Sequence, residues 1–264
     1  MLSEKEITKL LEDIFVGKID EYNLPLNLYE SIAENLDDAL RTGFKNMGAS
    51  FGGKNLELVN ELRTNVYMFS AAKTFQQTRE LSGLITDDKN NIRTFKDFYT
   101  DASSMYDKYN KDYAQTEYRT AIESAQMGVR WNQIQEDKDI FPLLKITVVE
   151  DSLTSDICKP LEGITLPVND PFWDKYYPPN HWNCRSSVLQ LDEGKVSNKK
   201  EVKHAIEHAD DEMQDVFKMN VGKDGYVFSP EHPYFEVPKE DKQFAKENFG
   251  LPLPKELKKE NTKP

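Results

Sequence analysis

Cysteine is nearly absent from this sequence: Cys158 and Cys184 are the only two in 264 residues. One bridge at most can form, which excludes a small secreted domain knit by disulfides. Histidine is almost as sparse, and His181, His204, His208 and His232 all fall in the last third of the chain. Any chemistry that needs imidazole or thiolate is expected there. No apolar run approaches the roughly 18 residues of a membrane helix, so no transmembrane span and no membrane partner are expected. The opening stretch MLSEKEITKLLEDIF carries acids where a secretory leader has a basic region and an unbroken apolar one, so a soluble, not classically secreted chain is expected. Positive charge is also short: 34 Lys and Arg against 46 Asp and Glu leave −12. The average field repels nucleic acid, so a general DNA binder is excluded and any DNA contact needs a local basic patch. Large apolar side chains are not lacking. With 14 Phe, 12 Tyr and 3 Trp the chain can build a core, unlike a disordered polymer.

The first 140 residues read as helices. Ser3 and Glu6 fit a capping box, and Ile7, Leu10, Leu11, Ile14 and Phe15 then line one helical face up to a stop at Gly17. Leu28, Ile32, Leu36, Leu40 and Phe44 recur at intervals of four until Gly48, Gly52 and Gly53. A third helix is predicted over Leu56–Leu81, and a fourth helical region over Phe95–Gln135, whose tyrosines (Tyr99, Tyr106, Tyr109, Tyr113, Tyr118) read as core. Arg119 and Glu123, four apart on that region, read as a local ion pair. After Pro142 the character changes. LLKITVV (143–149) and RSSVLQL (185–191) read as strands, Asn198–Met213 has helical potential, and Phe217–Tyr234 holds turn signals. From Pro238 the chain has 7 Lys, 5 acids and four prolines, and reads as a weakly ordered or partner-ordered tail. The expected class is α+β: a mostly helical N-terminal region and a small C-terminal β-containing module closed by a Cys/His loop.

The segment between the two predicted strands, about thirty-five residues, is too long for an ordinary connection within a compact domain. It reads DSLTSDICKPLEGITLPVNDPFWDKYYPPNHWNCRSS and presents Cys158, then His181 and Cys184 as H-x-x-C. Cys and His at that spacing can face one tetrahedral ion, because the tight turn brings both donors to bonding distance. Three ligands are one short of a closed zinc site, and His204 or His208 could supply the fourth. A Cys158–Cys184 disulfide under oxidising conditions, or two reduced buried thiols, account for the same residues. The rest of the segment reads as structural. Pro178 and Pro179 stiffen the approach to His181, and Gly163 permits a turn. Phe172, Trp173, Tyr176 and Tyr177 give the loop a small core, and Asp151 and Arg185 are placed to pair as a buried clasp at its base.

The run from Asp151 through Leu161-Glu162-Gly163 to Pro178-Pro179-Asn180-His181-Trp182-Asn183-Cys184-Arg185 resembles the phage Mu protein F-like head-morphogenesis family, minor capsid proteins of tailed phages and prophages. That family's pattern is an Asp, then T-C-x-x-C, a Leu-(Asp/Glu)-Gly step, and P-P-x-H-x-x-C-R-C. A preceding helix with an Arg like Arg119, within Tyr118-Arg119-Thr120, fits it too, and the resemblance covers about residues 110–195. Two departures matter: Ser155 and Ser186 stand where the family often has cysteines. The resemblance therefore implies a structural motif of Asp151, Cys158, Gly163, His181, Cys184, Arg185 and Arg119. Any zinc site of Cys158, His181 and Cys184 would need a further ligand, or there is no metal at all.

What the resemblance implies is a non-enzymatic, portal-associated minor head protein, acting in head assembly and DNA packaging or delivery. Its expected partners are the portal and other head proteins, with weak DNA contact through the Lys-rich tail. Its expected place is the virion head, and the bacterial host cytoplasm during assembly. The expected domains are a helical region (1–100), the Mu F-like domain (101–195) and a partly disordered extension (196–264). A metal-dependent hydrolase or nuclease, with Glu162 or Asp151 as general base, is the enzymatic alternative. Against it, the sequence has no Ser-His-Asp order, phosphate-cradling glycine loop or H-E-x-x-H helix. A toxin-carrier domain is a third reading, for which the short extension leaves little room.

Overall fold

The computed structural model describes residues 2–258. Its elements run α1 (Glu4–Phe15), α2 (Leu26–Asn46), α3 (Leu56–Gly83), α4 (Phe95–Asp107), a π-helical turn (Lys108–Tyr113) and α5 (Ala114–Asp137), followed by β1 (Leu143–Thr147), β2 (Thr165–Pro167) and β3 (Ser187–Leu191), then α6 (Lys199–Asp210) and the short α7 (Val221–Asp224) and α8 (Lys242–Lys246). The class is α+β, as the sequence predicts. No described helix is long and apolar enough to cross a membrane.

The chain divides into two compact units that do not follow sequence order. Among the described residues, one gathers residues 2–38 with Val66–Tyr118 and His232–Lys255; the other gathers Ala39–Asn65, Arg119–Glu231 and residues 256–258.

In the first unit the capping box forms as read. Ser3 Oγ accepts from the Glu6 N–H, and the Glu6 carboxylate accepts from the Ser3 N–H at 2.8 Å. The buried face of α1, Leu10, Leu11 and Ile14, packs on Leu28, Leu81, Phe98, Ala102 and Tyr106. A second core joins Tyr29, Ala33, Ala71, Ala72 and Phe75 to Phe249, whose ring stacks on Phe75 at 4.7 Å. The segment from Pro238, read as a weakly ordered tail, thus folds back over its described part. Phe244 and Phe249 decide this, because burying two aromatic rings outweighs the polarity of the lysines around them. Residues 259–264 lie outside the described residues. The predicted helical region from Phe95 is built of α4, the π-helical turn and α5. Beside that turn Lys73, fully buried on α3, donates to Glu117 Oε2 at 2.5 Å and to the Tyr109 carbonyl at 2.8 Å.

In the second unit α2 and α5 touch at Gly43, where a Cβ would stand 2.6 Å from both Ala125 Cβ and the Ile122 carbonyl. The sheet is antiparallel in the order β2-β1-β3. Leu144 and Ile146 of β1 are fully buried, with Leu144 opposite Leu166 and Gln190, and Ile146 opposite Val188. Strand β2 was not predicted: three residues ending in proline carry no alternation to read. The loop aromatics pack as expected, and they do so on α5. Trp131 meets Tyr177 edge-on at 5.0 Å, Tyr177 Oη donates to the Met127 carbonyl, and Trp173 Nε1 donates to the Pro167 carbonyl.

Candidate functional site

Each part of the long segment is built by a short-range device. Past β1, the Val148 N–H donates to the Glu162 carboxylate. Gly163 follows at φ +77°, a conformation glycine adopts without a Cβ clash. That turn lets Gly163 N–H donate to the Ile146 carbonyl and Ile146 N–H to the Ile164 carbonyl, both at 3.0 Å, and delivers the chain into β2. The Leu-Glu-Gly step is thus a return device, and Glu162 is committed to it.

Ser155 to Cys158 forms a second turn. The Cys158 N–H donates to the Ser155 carbonyl at 3.2 Å and to its Oγ at 3.1 Å. His181 to Cys184 forms a third, closed by Cys184 N–H donating to the His181 carbonyl, with Asn183 at φ +57°, a position asparagine tolerates well. These two turns bring Cys158, His181 and Cys184 together, with their ligand atoms within 4.8 Å of one another. Both thiols are buried and unbonded, Sγ to Sγ 3.8 Å. His181 Nδ1 lies 2.8 Å from the Trp182 carbonyl, which can only accept, so Nδ1 carries the proton. In the neutral ring Nε2 then presents its lone pair and accepts from Ser155 Oγ at 2.9 Å.

The electrostatics of the cluster are those of a shared proton. The hydrogen bond from Cys184, with help from Ser186 and Ser155, brings the Cys158 thiol down to about 6 against its burial. The same bond from the other side, together with burial, pushes Cys184 up to about 12. Burial works against a charged His181, but the hydrogen bond and charge of Cys184 outweigh it and raise its pKa. Glu123 of α5 also feels this group: burial first, then the charge of Cys184, push its carboxyl up to about 8. Its Oε2 is buried without a hydrogen-bond partner.

The other sequence-predicted residues fall as follows. Asp151 and Arg185 pair through two hydrogen bonds of 2.7 and 2.8 Å, and Arg185 holds the Asp151 carboxyl at about 2. The pair is 40% and 38% exposed, so the expectation of a buried clasp is corrected: both side chains leave the loop base toward solvent. Arg119 is exposed on α5, one turn before Glu123. His204 and His208 are exposed on α6, with rings 4.2 Å apart, and neither joins the cluster; among the described residues only Cys158, His181 and Cys184 form a group of candidate ligands. Glu162 and Asp151, the two general bases of the enzymatic alternative, are tied to a backbone N–H and to Arg185. Sequence reasoning missed the approach of Glu123, because its spacing from Arg119 suits a local pair equally well. It also missed Ser155 as the group that meets His181.

The family described as Phage Mu protein F like protein matches residues 52–189, just over half of the chain. Among curated proteins the chain is 32% identical over 76 residues to the "putative capsid assembly protein F" of Escherichia phage Mu. That stretch is 29% of this chain and 17% of that protein. It is 35% identical over 81 residues to the "Mu-like prophage FluMu F protein" of Haemophilus influenzae (strain ATCC 51907 / DSM 11121 / KW20 / Rd), covering 31% of this chain and 20% of that one. The chain thus spans about a fifth of the length of the curated relatives it matches. No solved structure matches it. The family match runs through α3, α5 and the whole segment that builds the Cys/His cluster, and on that match this chain belongs to the phage Mu protein F-like family.

Proposed function

We propose that this chain is a minor head protein of a phage or prophage, associated with the portal and acting in head assembly and in DNA packaging or delivery. The family match across residues 52–189 carries this reading, together with the name of the phage Mu relative, a putative capsid assembly protein. The motif residues support it: Glu162, Gly163, Ser155 and Asn183 all serve to shape the loop, and none is free for turnover. We assign the family's working part to residues 101–195, and the main partner-facing surface to the helices of 1–100. The extension, 196–264, adds at most weak DNA contact through its lysines. The place of action is the virion head, reached from the host cytoplasm during assembly. A net charge of −12 cannot hold the chain on packaged DNA by general electrostatics, so its place in a capsid comes from protein contact.

Salt distinguishes the two modes. Counterion release makes DNA affinity fall by about 0.9 in log-log slope for each phosphate contacted, whereas contact through apolar helix faces is much less sensitive. Co-purification of the tagged chain with its portal protein is expected to persist at several-fold physiological salt and after nuclease treatment. Loss under either condition, or purified heads that lack the chain, overturns the reading.

A further inference from the structure

The Cys158–His181–Cys184 cluster gathers two thiol sulfurs and an imidazole nitrogen within 4.8 Å of one another. We propose that Cys158, His181 and Cys184 bind one zinc ion, which pins the three turns of the long loop to one point, with the fourth position facing the Ser155 hydroxyl, whose Oγ lies 2.9 Å from His181 Nε2.

Three observations carry this. The first is the sulfur separation. Two thiolates about 2.3 Å from a tetrahedral ion stand about 3.8 Å apart, from elementary geometry; Sγ of Cys158 and Sγ of Cys184 are 3.8 Å apart. The second is the histidine. Its Nδ1–H is spent on the Trp182 carbonyl, the outer contact that fixes the tautomer of zinc-binding histidines and leaves Nε2 as the donor. The third is space: a small cleft lined by Val148, Leu153, Ser155, Cys158, His181 and Ser186 opens beside two of the three donors, Cys158 and His181. Charge also closes, since two thiolates and a neutral imidazole neutralise a divalent cation. Zinc displaces to solvent whatever protons the two sulfurs still hold, at most two, with no change of oxidation state. The site is independent of the head-assembly reading and fails separately from it.

The test uses the full chain, purified in reducing buffer without chelator and analysed for metal by mass spectrometry. About one zinc per chain is expected. Replacing zinc by cobalt is expected to give the thiolate charge-transfer band and intense visible bands of a tetrahedral site. C158S and C184S are expected to lose both signals. Because those variants remove buried side chains, S155C provides a second arm that keeps all three donors: it is expected to retain zinc against a competing chelator that strips the parent chain. H204A/H208A, on the exposed face of α6, is expected to keep full stoichiometry. Reduced, folded parent chain that neither carries zinc nor takes up cobalt in titration overturns the proposal. So does a 2-Da mass loss showing a Cys158–Cys184 disulfide in the folded protein, or an S155C variant no better than the parent at retaining metal.

Discussion

Replacing Lys73 by methionine tests how the first unit tolerates a charge with no water around it. Lys73 is fully buried and its partner Glu117 nearly so; Nζ lies 2.5 Å from Glu117 Oε2 and 2.8 Å from the Tyr109 carbonyl. At an effective dielectric of about 20, charges at that distance attract by about 6–7 kcal/mol. Dehydrating the two ions costs several kcal/mol each, so the pair as a whole contributes little net stability. Removing one partner is another matter. K73M keeps the volume and the aliphatic stem but leaves Glu117 buried and unpaired. Burial already pushes that carboxyl's pKa upward against the opposing pull of Lys73, and the variant removes that pull. It also strips a donor from the Tyr109 carbonyl. The expected loss is about 3–5 kcal/mol. At a urea dependence of about 3 kcal/mol per molar, this lowers the midpoint by about 1–2 M. E117Q is expected to cost a similar amount by stranding the ammonium. K73M/E117L, which replaces both charges with apolar groups, is expected to recover most of the loss, so the singles are strongly non-additive. Far-UV circular dichroism is the right probe for the titration, because Trp131, Trp173 and Trp182 all belong to the other unit. Two single variants costing under about 1 kcal/mol each, and adding in the double, would refute the reasoning.

Three further outcomes are expected. Arg185→Ala, which removes a solvent-exposed pair, is expected to leave the urea midpoint close to that of K175A; a clearly larger drop for R185A would restore the buried-clasp reading. His232 is held down to about 4 by burial and by Lys73, and its Nδ1 accepts from the Tyr234 N–H at 3.2 Å. Its contribution is therefore complete above the unfolded value of 6.5 and lost as pH falls toward 4, where the unfolded chain binds the extra proton. About 3 kcal/mol is at stake, and H232N is expected to flatten the pH profile of thermal unfolding over that window, with an unchanged slope counting against the assignment. Gly222→Ala is expected to destabilise the second unit by about 1–3 kcal/mol, read by Trp fluorescence, since the new Cβ would stand 2.3 Å from Trp131 Cβ; G83A, where nothing lies within 4 Å, is the matched control.

What could be read from the sequence depended on how far along the chain the deciding partner lay. Helix α1 was legible because Ser3, Glu6 and the apolar face Leu10, Leu11 and Ile14 all lie within a few turns of one another. The same holds for the turns at Gly163 and at His181–Cys184, whose closing hydrogen bonds span only a few residues. Lys73 was illegible, since a lysine on a helix reads as a solvated face until a carboxylate 44 residues away is brought against it. Phe244 and Phe249 were hidden by averaging, because a window rich in lysine and proline reads as a tail whatever two rings within it do. The limits of β2 were equally obscure: its pairing is imposed by the turn at Gly163, and Thr165, Leu166 and Pro167 carry no pattern of their own.

The candidate site divides along the same line. H-x-x-C announced itself, while Cys158, 26 residues before Cys184, joins it only because β2 and β3 flank β1 and return the loop to its start. Glu123 is the sharpest case. Four residues after Arg119, it satisfies the rule for a local ion pair, and it satisfies equally well a carboxylate turned toward the thiols; periodicity cannot separate the two. Burial separates them. Arg119 stays in solvent while Glu123 Oε2 is shut away from water with no donor, and burial and the Cys184 charge raise its pKa to about 8. Arg119 and Arg185 pull that pKa down, but burial and the Cys184 charge prevail. The carboxylate therefore belongs with the cluster and not with the helix surface, a distinction that exists only once the loop has closed over α5.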